Sequence, residues 1–357
     1  MYPRIVDIPL PFEIGGLDSL TVYSYGLMVV IGVLVAAWLA ARELDRFFWN
    51  GRLPGVKVPV PPEEQDGGRE KRRGRNRRPP MRTASPSVLM GTIAPIAIVA
   101  GIVGAKLFFI LENLDLLARD PVGTIFATGG LTFYGGFLLA AASIVWFLHR
   151  YDLSARTFAD AIAPGLMLAY GIGRIGCYLA GDGDWGVCSN LANKPGWLPA
   201  WLWSENFEGN ILGQPATALE NCPPSATGVY PTMLYEFAAS VAIFAALWVL
   251  RKHPYKSGWL FSLYLVLSGA WRFVIEKIRV NPSYDLLGFT VTQAEVIAVL
   301  IVLAGAAGLF FFWEPRDRAA EEEQAETNRE RMRRGQKRRG RLEEEEEEKQ
   351  EETASAA

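Results

Sequence analysis

Seven apolar blocks follow one another along the chain, at roughly 24–41, 88–111, 131–148, 158–179, 232–250, 258–275 and 293–313. Each is close to the ~20 residues a helix needs to cross a bilayer. None alternates with the period of a strand, and lipid cannot satisfy open backbone groups, so the pattern predicts helices. The first block is not expected to be a cleavable leader, because no basic cluster precedes it and no clean small-residue cleavage site follows. The expected fold is an all-α integral membrane protein of about seven transmembrane helices, with residues 24–313 as its spanning domain.

The polar stretches between the blocks set the orientation. Residues 61–82, with "GGREKRRGRNRRPPMR", and the tail after Glu314, with "RMRRGQKRRGRLEEEEEEKQEE", hold too little apolar surface to fold alone. The loop 50–87 and the tail 314–357 are therefore expected to be disordered. A net charge of only -2 hides this segregation. Arg46, Arg52, Lys57 and the 69–82 cluster lie in the first loop, Arg150 and Arg156 in the third, Arg251, Lys252 and Lys256 in the fifth, and Arg316 and Arg318 in the tail. The alternate flanks hold Arg119, Lys194 and Arg279. The positive-inside rule then puts residues 1–23 outside and the C-terminus in the cytoplasm. Basic runs beside a membrane set topology or touch anionic headgroups, and nucleic-acid binding is not expected.

On that orientation residues 181–230 form an external head, rich in tryptophan (Trp185, Trp197, Trp201, Trp203). Cys188 and Cys222 lie in it and could either bond or stay free outside the cytoplasm, whereas Cys177, inside the fourth block, reads as a small packing residue.

Ionisable groups within the apolar blocks are few, and such groups normally face a bundle interior or a polar cavity. Those singled out are Lys106, Arg174, Glu236, Arg272 and Glu276, with Asp182 and Asp184 just past the fourth block and Arg279 just past the sixth. The topology brings most of them to the outer side, where Tyr25, Tyr134, Tyr230 and Tyr235 also open their spans. Arg272, Glu276 and Arg279 share a helical face by their spacings of four and three. The simplest reading is an Arg272–Glu276 ion pair plus an aromatic belt, but it leaves Arg174 and Arg279 without partners. Arg174, between Gly173 and Gly176 in mid-helix, is badly placed to snorkel. A surplus of arginines here suggests an anionic ligand, since guanidinium forks match phosphate oxygens in pairs. The glycines around Tyr134 in "GGLTFYGG", Gly135 among them, allow either a close backbone approach to a ligand or tight helix packing. No metal-ligand set is expected from the spacing of the acids, cysteines and two histidines. "GIGRIG" lacks the preceding strand of a dinucleotide loop.

Five blocks in order, "YSYGLMVVIG", "GGLTFYGG", "GIGRIGCYLAGDGDWG", "YPTMLYE" and "GAWRFVIEKIRVNP", resemble the prolipoprotein diacylglyceryl transferases of bacteria over about residues 23–313. The resemblance implies a seven-span enzyme of the bacterial inner membrane with an external head and no cofactor. Such an enzyme moves diacylglycerol from phosphatidylglycerol to the lipobox cysteine of a prolipoprotein signal peptide, releasing glycerol phosphate. It implies that Arg174 and Arg272 hold the lipid phosphate and that Tyr25 and Tyr235 line the cavity. Glu276 and Arg279 would orient Arg272. Tyr134 stands where the family usually has histidine, Cys177 where it usually has asparagine, and "GDGDWG" is longer than the usual segment. Lys106 replaces an arginine, and "YPT" stands for "HPS". The base that takes the thiol proton is left open between Tyr134, Asp182, Asp184 and the cationic field alone. Two other readings compete: a non-catalytic lipid- or lipoprotein-binding protein of the same fold, and a transporter, against which stands the absence of a continuous polar path or inverted repeat.

Overall fold

The elements were located in a computed structural model, which describes residues 1–14, 17–60, 81–126, 132–286 and 289–355. Eleven α-helices are described: α1 (Ser24–Trp49), α2 (Met90–Glu112), α3 (Leu114–Arg119), α4 (Pro121–Phe126), α5 (Phe133–Arg150), α6 (Ala155–Ala180), α7 (Ala216–Leu219), α8 (Thr232–Leu250), α9 (Trp259–Glu276), α10 (Gln293–Phe311) and α11 (Arg318–Ser355). Among the described residues, four antiparallel two-stranded sheets accompany them: β1 (Arg4–Ile14) with β2 (Leu17–Tyr23), β3 (Val56–Pro59) with β4 (Met81–Ala84), β5 (Cys188–Ser189) with β6 (Gly228–Val229), and β7 (Ser283–Leu286) with β8 (Phe289–Thr292).

Among the described residues, six helical segments are long and apolar enough to cross a membrane: Ser24–Trp49, Pro86–Glu112, Ala155–Ala180, Thr232–Leu250, Trp259–Glu276 and Gln293–Phe311. The seventh expected span coincides with α5, a helix of 18 residues, and its expected start at Leu131 lies outside the described residues. A count of seven is an expectation that six such helices do not complete.

The chain divides into two compact units, with boundaries inside α1 and α6: residues 1–39 with 159–316, and residues 40–158 with 317–357. In the first unit, α9 packs along α10 and against α8. Thr292 and Glu295 start α10 with a reciprocal capping box, each side chain bonding the other residue's backbone N–H, which satisfies two donors that a helix start leaves orphaned. The head segment folds around buried Trp185, Phe207, Ala216, Val229 and Met233, with the Trp185 and Phe207 rings 5.0 Å apart. Cys188 and Cys222 are joined as a disulfide, which settles the alternative left open by sequence.

In the second unit, α2 and α5 pack closely. Two sequence expectations change here. The basic loop is ordered at both ends, where β3 pairs with β4 from Val56↔Ala84 to Pro59↔Met81; residues 61–80 lie outside the described residues. The tail is helical over Arg318–Ser355 rather than disordered. Its Ala, Glu, Gln, Lys and Arg are strong helix formers, and the Asp317 side chain accepts the Ala320 N–H at 3.2 Å at its start. Buried Asn328 then donates from Nδ2 to the carbonyls of Phe48 (2.8 Å) and Leu53 (3.0 Å). It thereby ties the tail helix to the chain at and just past the end of α1. A charge-rich composition disfavours a packed core, but two inward positions, Ala325 and Asn328, are enough to dock a helix that forms by itself.

Candidate active site

The candidate groups gather where α6 ends and meets α8 and α9, all within the first unit. Close approach at α6 depends on glycine: a Cβ on Gly176 would lie 2.9 Å from Met28 Cβ and 3.2 Å from Tyr25 Cα. Two glycines of "GIGRIG" thus serve helix packing, Gly176 here and Gly171, whose Cβ would lie 2.8 Å from Ser240 Cβ, while a Cβ on Gly173 would meet nothing within 4 Å. After α6 the chain must pass between the start of α8 and the end of α9. Gly186 permits it, since a Cβ there would sit 2.6 Å from the Ile278 carbonyl and 2.8 Å from Thr232 Cγ2. The passage is fixed by an antiparallel bridge between Gly186 and Arg279 and by the Val187 N–H donating to Ile278 O at 2.8 Å. This backbone pairing is what carries Asp184 to Arg279.

Glu236, fully buried on α8, is the hub. Its Oε1 faces Arg272 Nη1 at 3.4 Å and Arg279 Nη1 at 3.2 Å, and its Oε2 pairs with Arg174 Nε. Asp184 bridges the same arginines from the other side, with Oδ2 on Arg174 Nη1 and Oδ1 2.6 Å from Arg279 Nη2. Arg272 Nη2 reaches Glu276 Oε2 at 2.9 Å. Glu276 in turn accepts from Asn281 Nδ2 (2.7 Å) and Thr292 Oγ1 (2.8 Å) through Oε1. Three guanidiniums and three carboxylates therefore balance to a formal charge of zero. Buried ions persist only when paired in this way.

This geometry corrects the expected surplus of arginines: Arg174 and Arg279 are partnered, and by acids from two other segments. The Arg272–Glu276 pair is as expected, but Arg279 lies past the end of α9 in the bridge to Gly186, so it reaches Glu236 from outside the helix rather than from a shared helical face. Glu236 was visible as an acid inside the fifth apolar block, but nothing in sequence spacing showed that α8 would place it between three arginines.

The other candidates divide. Arg174 Nε also donates to Tyr170 Oη at 3.1 Å, one turn back, and its guanidinium lies 5.0 Å from that ring centroid. Cys177 Sγ is 3.9 Å from Arg174 Nη1. Tyr25 stands beside Gly176, within electrostatic reach of Arg174, Cys177, Asp182 and Asp184. Tyr235 is turned to other work: its hydroxyl donates to Leu202 O in the head at 2.5 Å. Tyr134 and Gly135 open α5 in the second unit and are described only within it; Gly135 packs against Gly104 and Phe108 of α2.

The two aspartates past α6 have opposite characters. Burial pushes the Asp184 carboxyl up, but the Arg174 and Arg279 guanidiniums outweigh it and hold Asp184 below its ordinary value. Asp182 is raised, first by burial and then by the charge of Asp184, and it makes no ion pair among the described residues. Ligand atoms of Cys177, Asp182 and Asp184 lie within 4.8 Å of one another, a grouping the sequence spacing did not suggest. Both Asp184 oxygens are engaged by guanidiniums, so the grouping belongs to the charge network.

Residues 73–311 match the prolipoprotein diacylglyceryl transferase family. A phosphatidylglycerol–prolipoprotein diacylglyceryl transferase of Corynebacterium diphtheriae is 31% identical over 223 residues, covering 60% of this chain and 74% of the relative. Proteins of the same name from Dehalococcoides mccartyi (30% identical, 87% of this chain and 95% of the relative) and Paenarthrobacter aurescens (29%, 85% and 82%) are also similar. With a match over most of its length and the arginine-bearing blocks assembled into one network, the chain belongs to the prolipoprotein diacylglyceryl transferase family and is a multi-pass integral membrane protein.

Proposed function

We infer that this protein transfers the diacylglyceryl group of phosphatidylglycerol to the lipobox cysteine of prolipoproteins, the reaction for which its relatives are named. The observation that carries the reading is the convergence of Arg174, Arg272 and Arg279 on one point at the end of α6. The cysteine sulfur attacks C3 of the lipid glyceryl group, and a C–S bond forms as the C3–O bond to phosphate breaks. The bonding pair leaves with the phosphate oxygen, giving glycerol phosphate and a thioether. Guanidiniums fixed in a water-poor site stabilise charge as it gathers on the departing phosphate oxygens. Arg174, Arg272 and Arg279 hold the phosphate, while Glu236 and Glu276 keep the guanidiniums in place.

The thiol must lose its proton, because thiolate is the nucleophile. Of the groups left open by sequence, Asp184 is a poor base, pinned between two guanidiniums. Asp182 is the better acceptor, since burial and the Asp184 charge favour its protonated form. The protein resides in the inner membrane with its N-terminus outside, its C-terminus in the cytoplasm, and the head facing the prolipoprotein. The Cys188–Cys222 disulfide supports an oxidising setting for that head.

The test is transfer of labelled diacylglycerol from phosphatidylglycerol to a lipobox peptide by purified protein, as a function of pH. A base with a raised value stays protonated above about pH 4, the ordinary aspartate range, so transfer should rise with pH through a limb that Asp182→Asn abolishes. A limb unchanged in Asp182→Asn would remove Asp182 as base. No transfer by the parent protein, with lipid still bound and an active relative working alongside, would leave a lipid-binding protein of the same fold.

A further inference from the structure

Within the charge network the three acids are not equivalent. Glu236 and Glu276 have side chains with no exposure and sit on helices, whereas the Asp184 side chain is 37% exposed and sits in the turn that follows α6. Its carboxylate presents one oxygen to Arg174 and the other to Arg279. Two non-ester oxygens of a phosphodiester would make the same double contact, because carboxylate and phosphate both match guanidinium forks. The backbone around Asp184 is pinned: its carbonyl accepts from Thr232 Oγ1 at 2.9 Å, and the next residue, Trp185, is buried with Nε1 donating to Glu220 Oε1 at 2.8 Å. Gly181 and Gly183, with φ of 62° and 96°, shape the turn before it. With the main chain held on its C-terminal side, the freedom left to Asp184 is rotation of a short side chain.

Resting on the transferase reading, we propose that Asp184 occupies the seat of the donor lipid's phosphodiester and exchanges with it. Binding swings the carboxylate off Arg174 and Arg279, and the phosphate oxygens take its place. In the resting state the carboxylate offsets two buried guanidiniums that would otherwise face Glu236 alone, a costly arrangement for desolvated charge. The exchange replaces one anion by another, so the network stays balanced throughout. It also lowers the apparent affinity for any anion, as an internal competitor must, and it gives the enzyme a means of release. After transfer, Asp184 returning to its seat displaces glycerol phosphate. The seat recognises a phosphate ester, which the intact lipid and the released glycerol phosphate both supply.

The experiment uses the full-length protein in detergent micelles, with Asp184→Asn, which keeps the shape and removes the charge. Binding of short-chain phosphatidylglycerol, glycerol phosphate and short-chain diacylglycerol to the parent and the variant is titrated. Removal of an internal competitor should tighten phosphatidylglycerol about tenfold or more, with glycerol phosphate tightened alongside and short-chain diacylglycerol, which lacks the phosphate, little changed. Equal or weaker phosphatidylglycerol binding by a variant that melts like the parent would overturn the exchange. A structure of the unaltered protein saturated with short-chain phosphatidylglycerol decides the matter even if the variant folds poorly. Phosphate between Arg174 and Arg279 with Asp184 turned away is the expected result; phosphate bound with the Asp184 bridge intact overturns the exchange and leaves the transferase reading standing. Failure of the parent to bind phosphatidylglycerol at all would overturn both.

Discussion

The helix α6 buries a charge near each end of its first-unit stretch, and the two ends treat it differently. Near its start, Asp160 is almost fully buried. Its Oδ2 accepts the N–H of Gly258 and its Oδ1 that of Phe261, both at 2.9 Å, with His253 Nε2 3.8 Å away. Those donors are backbone groups at the start of α9, where an anion is also favoured by the helix dipole. At the other end, Arg174 is held, among the described residues, by the side chains of Tyr170, Cys177, Asp184 and Glu236. Backbone donors cannot leave without unwinding a helix, whereas a carboxylate can rotate away. A buried charge satisfied by fixed backbone groups is architecture, and one satisfied by side chains, some of them exposed, is available to a ligand.

That contrast can be broken by substitution, and the largest effect is expected at Arg174. Arg174→Gln should cut transfer by about a hundredfold or more, the size of losing one preorganised donor to a developing oxyanion, while the folded protein persists because Glu236 keeps Arg272 and Arg279. Steady-state transfer and a melting curve together check it. Asp160→Asn should do the reverse. It removes charge-assisted bonds worth about 1.5–3 kcal/mol, lowering the melting temperature while the folded fraction transfers normally. The smallest effect is expected for Tyr235→Phe, which loses one bond to Leu202 O worth about 1 kcal/mol and should change transfer less than tenfold. A loss as large as that of Arg174→Gln would return Tyr235 to the reacting centre.

The periodicity of the chain made its helices legible: α1, α8 and α10 begin at the residues expected, and α2, α5, α6 and α9 begin within three residues of expectation. The chemistry was legible where it lay within one helix, as with Arg272 and Glu276. It was not legible where it depended on helices meeting. Glu236 becomes the hub only because α8 lies against α6 and α9, and Asp184 reaches Arg279 only through the Gly186 bridge. Asp160, two residues into an apolar block, carried a signal that sequence reading passed over, since an acid there must find donors. Asn328 carried none, because a lone amide in a charged tail looks like any other.

If the arginine network at the end of α6 seats a lipid phosphodiester, as proposed, affinity for phosphatidylglycerol depends on it. Titration of short-chain phosphatidylglycerol into the parent, Arg174→Gln and Asp160→Asn proteins, each confirmed folded, separates the two ends of the helix. Asp160→Asn should bind like the parent, and Arg174→Gln at least about tenfold more weakly. Parent-like affinity in a folded Arg174→Gln protein would contradict the proposed seat.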